Sequence, residues 1–249
     1  MQPLAKFLSS TSSRMPDITW HLLVNRTTQR TRTSCSVASL TIAFNGLISA
    51  GLCGDLDKPL TESAVLDMLP ESEHRSKIAE GRGGATLDQI GEMAESILQS
   101  LKLCDFSVSV HHMDESKAGG RDSAEVIGKD SGEGGGRDSA EGIGKKSVDD
   151  LGGFRSALLE SGAEGRSVVI ANYHQGVVYQ NDFAHGHFAP VAPVSLIGAD
   201  SDREALLGVV DPAVEGVPYV IDLEHFGRAM LTTDNTAGRT RGYLSIGLG

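Results

Sequence analysis

The chain reads as an α+β fold, helical in its first half and mostly antiparallel sheet in its second. Three observations predict this. Up to about residue 102, apolar residues recur three and four positions apart, the spacing of a helix face. From Ser167 onward, the apolar runs are short and bounded by turn residues, as strands are. Helical and strand patterns are segregated along the chain rather than alternating, which favours α+β over a doubly wound parallel sheet.

Taken in order, residues 1–24 read as an N-terminal segment. They have too short an apolar run for a secretory signal, and no acid precedes Asp17, a composition shared with organellar presequences. Segment 35–50 is apolar at Val37, Leu40, Ala43, Phe44, Leu47 and Ile48 and predicts a helix. Thr33 and Ser34 stand at its N-cap and Gly51 at its end. A second helix is predicted over 61–69 and a third over 86–102, capped by Thr86, with Leu87, Ile90, Met93, Ala94 and Ile97 inward. Ser107–His112 reads as a short strand.

A repeat follows. GGRDSAEVIGK at 119–129 recurs as GGRDSAEGIGK at 135–145. Each copy is rich in glycine and charge and buries too little to offset the entropy of ordering it. Two copies are too few for a solenoid. Residues 114–150 are therefore expected to be a flexible insertion within a single domain spanning 25–249. Beyond it, Ser147–Gly162 predicts a helix. Ser167–Tyr173, Gly176–Tyr179, Phe188–Ile197, Leu206–Val210 and Tyr243–Ile246 predict strands, and Tyr219–Thr232 contains a further helix.

Composition limits the function. The net charge of −11 opposes binding to phosphate backbones, so nucleic acid is not an expected partner. No apolar run reaches the roughly 18 residues of a membrane span. The three cysteines, Cys35, Cys53 and Cys104, have no CxxC spacing, which argues against a disulfide framework or a structural zinc site. A reducing, cytoplasmic compartment is the simplest expectation. A phosphate-binding glycine loop is absent from the sequence.

Four residues could carry chemistry. Cys35 stands at a predicted helix start, where unpaired N–H groups favour a thiolate; it could equally be a small core residue. His187 lies at the entry to an apolar strand, roughly 150 positions after Cys35, the separation of papain-like cysteine enzymes. His185, two residues earlier, would face the opposite way in a strand. Asp211 ends an apolar strand before Pro212, where it can orient a histidine or simply start a turn. Gln29, six residues before Cys35, could donate to an oxyanion or be a loop residue. His111 and His112 are adjacent and would point to opposite faces, a poor metal pair.

Several blocks together resemble the phytochelatin synthase family, and in that family's order. They are Gln29 followed by CSVASLTIAFNGL at 35–47, SVVIANYHQGV at 167–177, GHFAPV at 186–191, VVDPA at 209–213 and DNTAGRTRGY at 234–243. The resemblance implies a papain-like fold and a thioester enzyme acting on glutathione. It implies transfer of γ-glutamylcysteine to glutathione or to water, with glycine released. It gives Cys35 the role of nucleophile, His187 that of acid and base, Asp211 that of orienting carboxylate and Gln29 that of oxyanion donor. Asp234 and Arg241 would hold the γ-glutamyl group, although by themselves they read as a turn with a surface ion pair. The acyl step would need no cofactor. Heavy-metal ions such as cadmium or zinc would enter as thiolates, and a homodimer is compatible with the family. Ser36 stands where the family has glycine, Ser34 where it has an aromatic residue, and RTRTS at 30–34 replaces its Glu-Pro. These changes surround the acyl pocket. An amide hydrolase or acyltransferase acting on another peptide or metabolite is therefore the second expectation. A non-enzymatic metal-binding protein is the third.

Overall fold

The computed structural model describes residues 1–3, 17–54, 56, 58–113, 151–195, 205–213 and 217–249. The repeat insertion and the presequence-like residues 4–16 lie outside these, as does the end of the strand predicted over Phe188–Ile197.

One antiparallel sheet organises the fold. Its order is β1-β6-β5-β4-β3-β9-β2, with β1 Gln2–Pro3, β2 Phe106–His112, β3 Ser167–His174, β4 Gly186–Ser195, β5 Leu206–Val209, β6 Tyr219–Asp222 and β9 Gly242–Leu248. The short strands β7 Thr233–Asp234 and β8 Arg239–Thr240 form a separate ribbon. Helices cover both faces. On one face lie α1 Asp17–Val24, α2 Cys35–Ser49, α3 Glu62–Met68, α4 Glu73–Ala79 and α5 Leu87–Leu101. On the other lie α6 Gly152–Glu164 and α8 Leu223–Met230. The five-residue α7, Gln175–Tyr179, joins β3 to β4.

Strand alternation explains the two cores. On β3, Val168 and Ile170 face α2, while Val169, Ala171 and Tyr173 face α6 and α8. A sheet buried on both sides needs apolar residues at nearly every position, which is why SVVIA reads as a continuous run. The helix α2 is buried from Cys35 to Leu47, so it is apolar all round rather than on one stripe. Two of its polar exceptions are bonded to backbone carbonyls: Ser39 Oγ donates to Phe188 O at 2.9 Å and Thr41 Oγ1 to Val37 O at 2.8 Å. The first of these ties the helix to the strand that carries His187.

The predicted helices over 35–50, 61–69 and 86–102 are present. Thr86 completes a capping box with Gln89, satisfying two otherwise orphaned N–H groups. Several features differ from expectation, and α4 and the short strands β1, β7 and β8 are additions to the predicted elements. Gly176–Tyr179 is helical rather than a strand, because the chain must turn between antiparallel neighbours there. Gly176 sits against the carbonyls of Asn181 and Phe183, and Gln180 closes the helix at φ 53°. The helix α1 was not anticipated, yet its Ile18 and Leu22 enter the core beside α2. The strand β2, from the first half, pairs along its full length with β9. No helix among the described residues is long and apolar enough to cross a membrane.

Candidate active site

Cys35 is the first residue of α2, and its environment follows from the loop before it. Ser34 occupies the N-cap but makes no side-chain cap bond. Its Oγ instead accepts from Thr31 N at 3.0 Å. The N–H of Ser36 is thereby left for the sulfur, and the N–H of Phe188 adds a second donor. Burial pushes the thiol pKa up. The hydrogen bond and charge of His187, with these two N–H groups, outweigh burial and hold it below the ordinary value.

His187 lies on β4 opposite Tyr173 of β3. Its Nε2 donates to Asp211 Oδ1 at 2.8 Å, since an ionised carboxylate can only accept. That leaves Nδ1 as the ring nitrogen for Cys35. Burial lowers the imidazole pKa, but the bonds to Asp211 and Cys35 raise it to about 10. Asp211 is buried, which raises its pKa; the bond and charge of His187, with Tyr179 and the Ala213 N–H, bring it down to about 2. These shifts favour a thiolate beside an imidazolium and a carboxylate, in one buried row.

The other expected residues fall into two places. Gln29 is buried on the loop before α2, and its N–H donates to Pro212 O at 2.7 Å, next to Asp211. Its side-chain Nε2 donates to Thr31 O at 2.9 Å, while its Oε1 is buried without a hydrogen bond. Arg241 and Asp234 are buried, not the surface ion pair that the residues alone suggest, and form a second cluster, with Arg241 Nη1 3.5 Å from Asp234 Oδ2 and 3.2 Å from Asn172 Oδ1. Arg241 Nε donates to Thr232 Oγ1 at 3.1 Å. The guanidinium packs against Gly186, the residue before His187, so the ion pair adjoins the cysteine–histidine pair. His185 is exposed. His111 stacks on Tyr243 at 4.7 Å, while His112 is buried against Thr240 O and Asp88. Among the described residues, no group of three or more His, Cys, Asp or Glu could hold a metal ion.

Sequence reasoning missed the tyrosines. The chain has only four, and three of them, Tyr173, Tyr179 and Tyr219, gather around Asp211. In a chain so poor in aromatic residues, tyrosines on either side of the histidine block were a usable signal. It also missed Glu62, a buried carboxyl that accepts from Arg30 N at 3.4 Å and bonds Ser34. Burial raises its pKa.

A family model described as phytochelatin synthase matches residues 4–243. No curated protein matches the chain. A helix-borne cysteine facing a histidine on an antiparallel sheet is the papain-like arrangement of that family.

Proposed function

Because the chain belongs to the phytochelatin synthase family, we propose that it transfers γ-glutamylcysteine from glutathione through a thioester on Cys35. What supports this most is the row Cys35–His187–Asp211, with the ion pair Arg241–Asp234 beside it. The Cys35 thiolate attacks the carbonyl carbon of the cysteinyl–glycine bond. The carbonyl electrons move to oxygen, where the second N–H of the Gln29 amide and the N–H groups at the start of α2 are the donors at hand. The intermediate collapses, the C–N bond breaks, and His187 gives its proton to the departing glycine amine. His187, now neutral, takes a proton from the incoming amine of a second glutathione or from water, and Cys35 leaves as the thiolate. Asp211 keeps the imidazole in the tautomer that serves both steps. Arg241 and Asp234 present one positive and one negative group to the carboxylate and amine of the γ-glutamyl end. No cofactor is needed for the acyl step. Cadmium or zinc would enter as the thiolate of the acceptor glutathione.

The test is incubation with glutathione, alone and with Cys35→Ala, followed by assay of free glycine, γ-glutamylcysteine and longer oligomers. Glycine release by the native chain and none by Cys35→Ala is expected. Release that survives the substitution would sink the thioester mechanism. Ser34 and Ser36 flank the nucleophile, so a different amide donor is the second reading. Cys35 labelling by an electrophile without any turnover of glutathione would favour it.

A further inference from the structure

The Asp211 carboxylate is enclosed by more donors than its histidine requires. Nε2 of His187 and the N–H of Ala213 share Oδ1 at 2.8 and 2.7 Å. On Oδ2, the Tyr179 hydroxyl lies at 2.6 Å and the Tyr173 hydroxyl at 3.3 Å. The Tyr219 hydroxyl stands 3.4 Å from that of Tyr173. A carboxylate only accepts, so Tyr179 and Tyr173 must both donate to it. Tyr173 has then spent its one proton and accepts from Tyr219. Arg26 Nε adds a cation at the Asp211 backbone carbonyl, at 3.1 Å.

These donors answer a physical need. With only His187 and Ala213 engaged, Oδ2 would be a bare anionic oxygen in a site with no solvent exposure. Such an oxygen is costly, and the carboxyl would rotate or take a proton to relieve it. Either change would release His187. The bond from Tyr179 is the shorter of the two on Oδ2, and charge-assisted bonds of that length are the strong ones. The chain also spends unusual structure on it. β3 and β4 are antiparallel neighbours that a tight hairpin could join. Instead the connection winds into α7, and the last residue of that helix is Tyr179. The next residue, Gln180, holds a left-handed conformation that disfavours side chains.

We propose that Tyr179 is a positioning residue of this site, its hydroxyl fixing the Asp211 carboxylate so that Oδ1 stays on His187 and the imidazolium stays on Cys35. The role rests on the assignment of Cys35 and His187 made above. Tyr179 is suited to a test because it is only partly buried, so Tyr179→Phe keeps the ring and removes one oxygen. Tyr173 lies deep in the second core against Phe226.

The experiment measures the rate of Cys35 alkylation by iodoacetamide against pH in the full chain, with turnover of glutathione alongside. In the native protein, the thiolate should react well below the ordinary thiol range. In Tyr179→Phe, the rate at pH 6 should fall roughly three- to tenfold, with kcat falling in step and KM within about twofold. Tyr179→Gln, which returns an N–H donor, should recover part of the low-pH rate. A normal native profile on which Tyr179→Phe superimposes overturns this role alone. A native profile with no reactive thiolate below pH 7 overturns the cysteine–histidine pair, and the role of Tyr179 with it.

Discussion

Gly186 has no side chain, and the structure states what one would meet. An added Cβ would overlap Nη1 of Arg241 and lie 3.0 Å from Cζ and 3.3 Å from Nη2. Ordinary contacts begin near 3.5 Å, so in Gly186→Ala the guanidinium must retreat. A long side chain yields cheaply when its end is free, but this one is buried and bonded to Thr232, Asn172 and Asp234. Overpacking of this kind costs about 1–3 kcal/mol, and the loss of one buried charge-assisted bond about 1.5–3 kcal/mol. Part of each is recovered by relaxation, so a net destabilisation of about 2–3 kcal/mol is expected. For a chain of this length, that lowers the melting temperature by roughly 4–12 °C. The effect on function should be selective. KM for glutathione should rise about tenfold or more if Arg241 and Asp234 hold the γ-glutamyl end as proposed, because that pair is displaced. The iodoacetamide reactivity of Cys35 should stay within about twofold, because His187 still bonds Asp211. Thermal melting, steady-state kinetics and alkylation together check this. A Gly186→Ala protein with native melting temperature and native KM would refute the reasoning. So would one in which alkylation collapses while KM holds.

Two further outcomes concern Asp211. Asp211→Asn replaces an acceptor-only group with one whose N–H₂ must face a donor, and it weakens the hydrogen bond and removes the charge through which Asp211 raises the His187 pKa. Turnover should fall about 10²-fold or more, and Cys35 alkylation at pH 6 should drop toward that of an ordinary thiol. Stability should also depend on pH through this pair. The His187 contribution is fully present below the ordinary imidazole value of 6.5 and is lost as pH rises through about 10. The Asp211 contribution is present above the ordinary carboxyl value of 3.8 and is lost as pH falls through about 2. Urea melts between pH 3 and 10 should show the pair contributing most between about pH 4 and 6.5, and Asp211→Asn should flatten that dependence.

Much of the fold could be read directly. Val37, Leu40, Ala43, Phe44 and Leu47 mark α2 because burial in a core leaves a 3.6-residue imprint. Thr86 marks the start of α5 because a cap is a local signal. The strand reading of Gly176–Tyr179 failed for the opposite reason. Two valines and a tyrosine carry strand propensity, and packing of Gly176 against Asn181 and Phe183 overrode it. The site divides in the same way. Cys35 at a helix start and His187 at a strand start were legible as types in context. The donors that hold Asp211 were marked only as scarce tyrosines near the histidine block; their pairing with Asp211 was not legible, because Tyr179 and Tyr173 are 32 and 38 positions from it. Only the register of β3, β4 and β5 brings them together. The pairing of Arg241 with Asp234 was legible from the residues as an ion pair at a turn, whereas the contact of Arg241 with Asn172, 69 positions away, needed the sheet.

The position of β9 in the sheet has a consequence for how the protein is made. β9 runs from Gly242 to Leu248 and lies between β3 and β2. A ribosome delivers Cys35 and the helices around it long before that strand exists. Until His187, Asp211 and finally β9 arrive, Cys35 is an ordinary thiol on a helix without its histidine, and β2 is a strand without a neighbour. The nascent chain thus carries Cys35 without His187 and the Phe188 N–H, which lower its pKa, until β4 has been made. It also carries unpaired backbone, and closing contacts this distant in sequence makes folding slow. The helix start at residue 35 is made early, and β4 with His187, Asp211 beyond β5, and β9, the partner of β2, come after it.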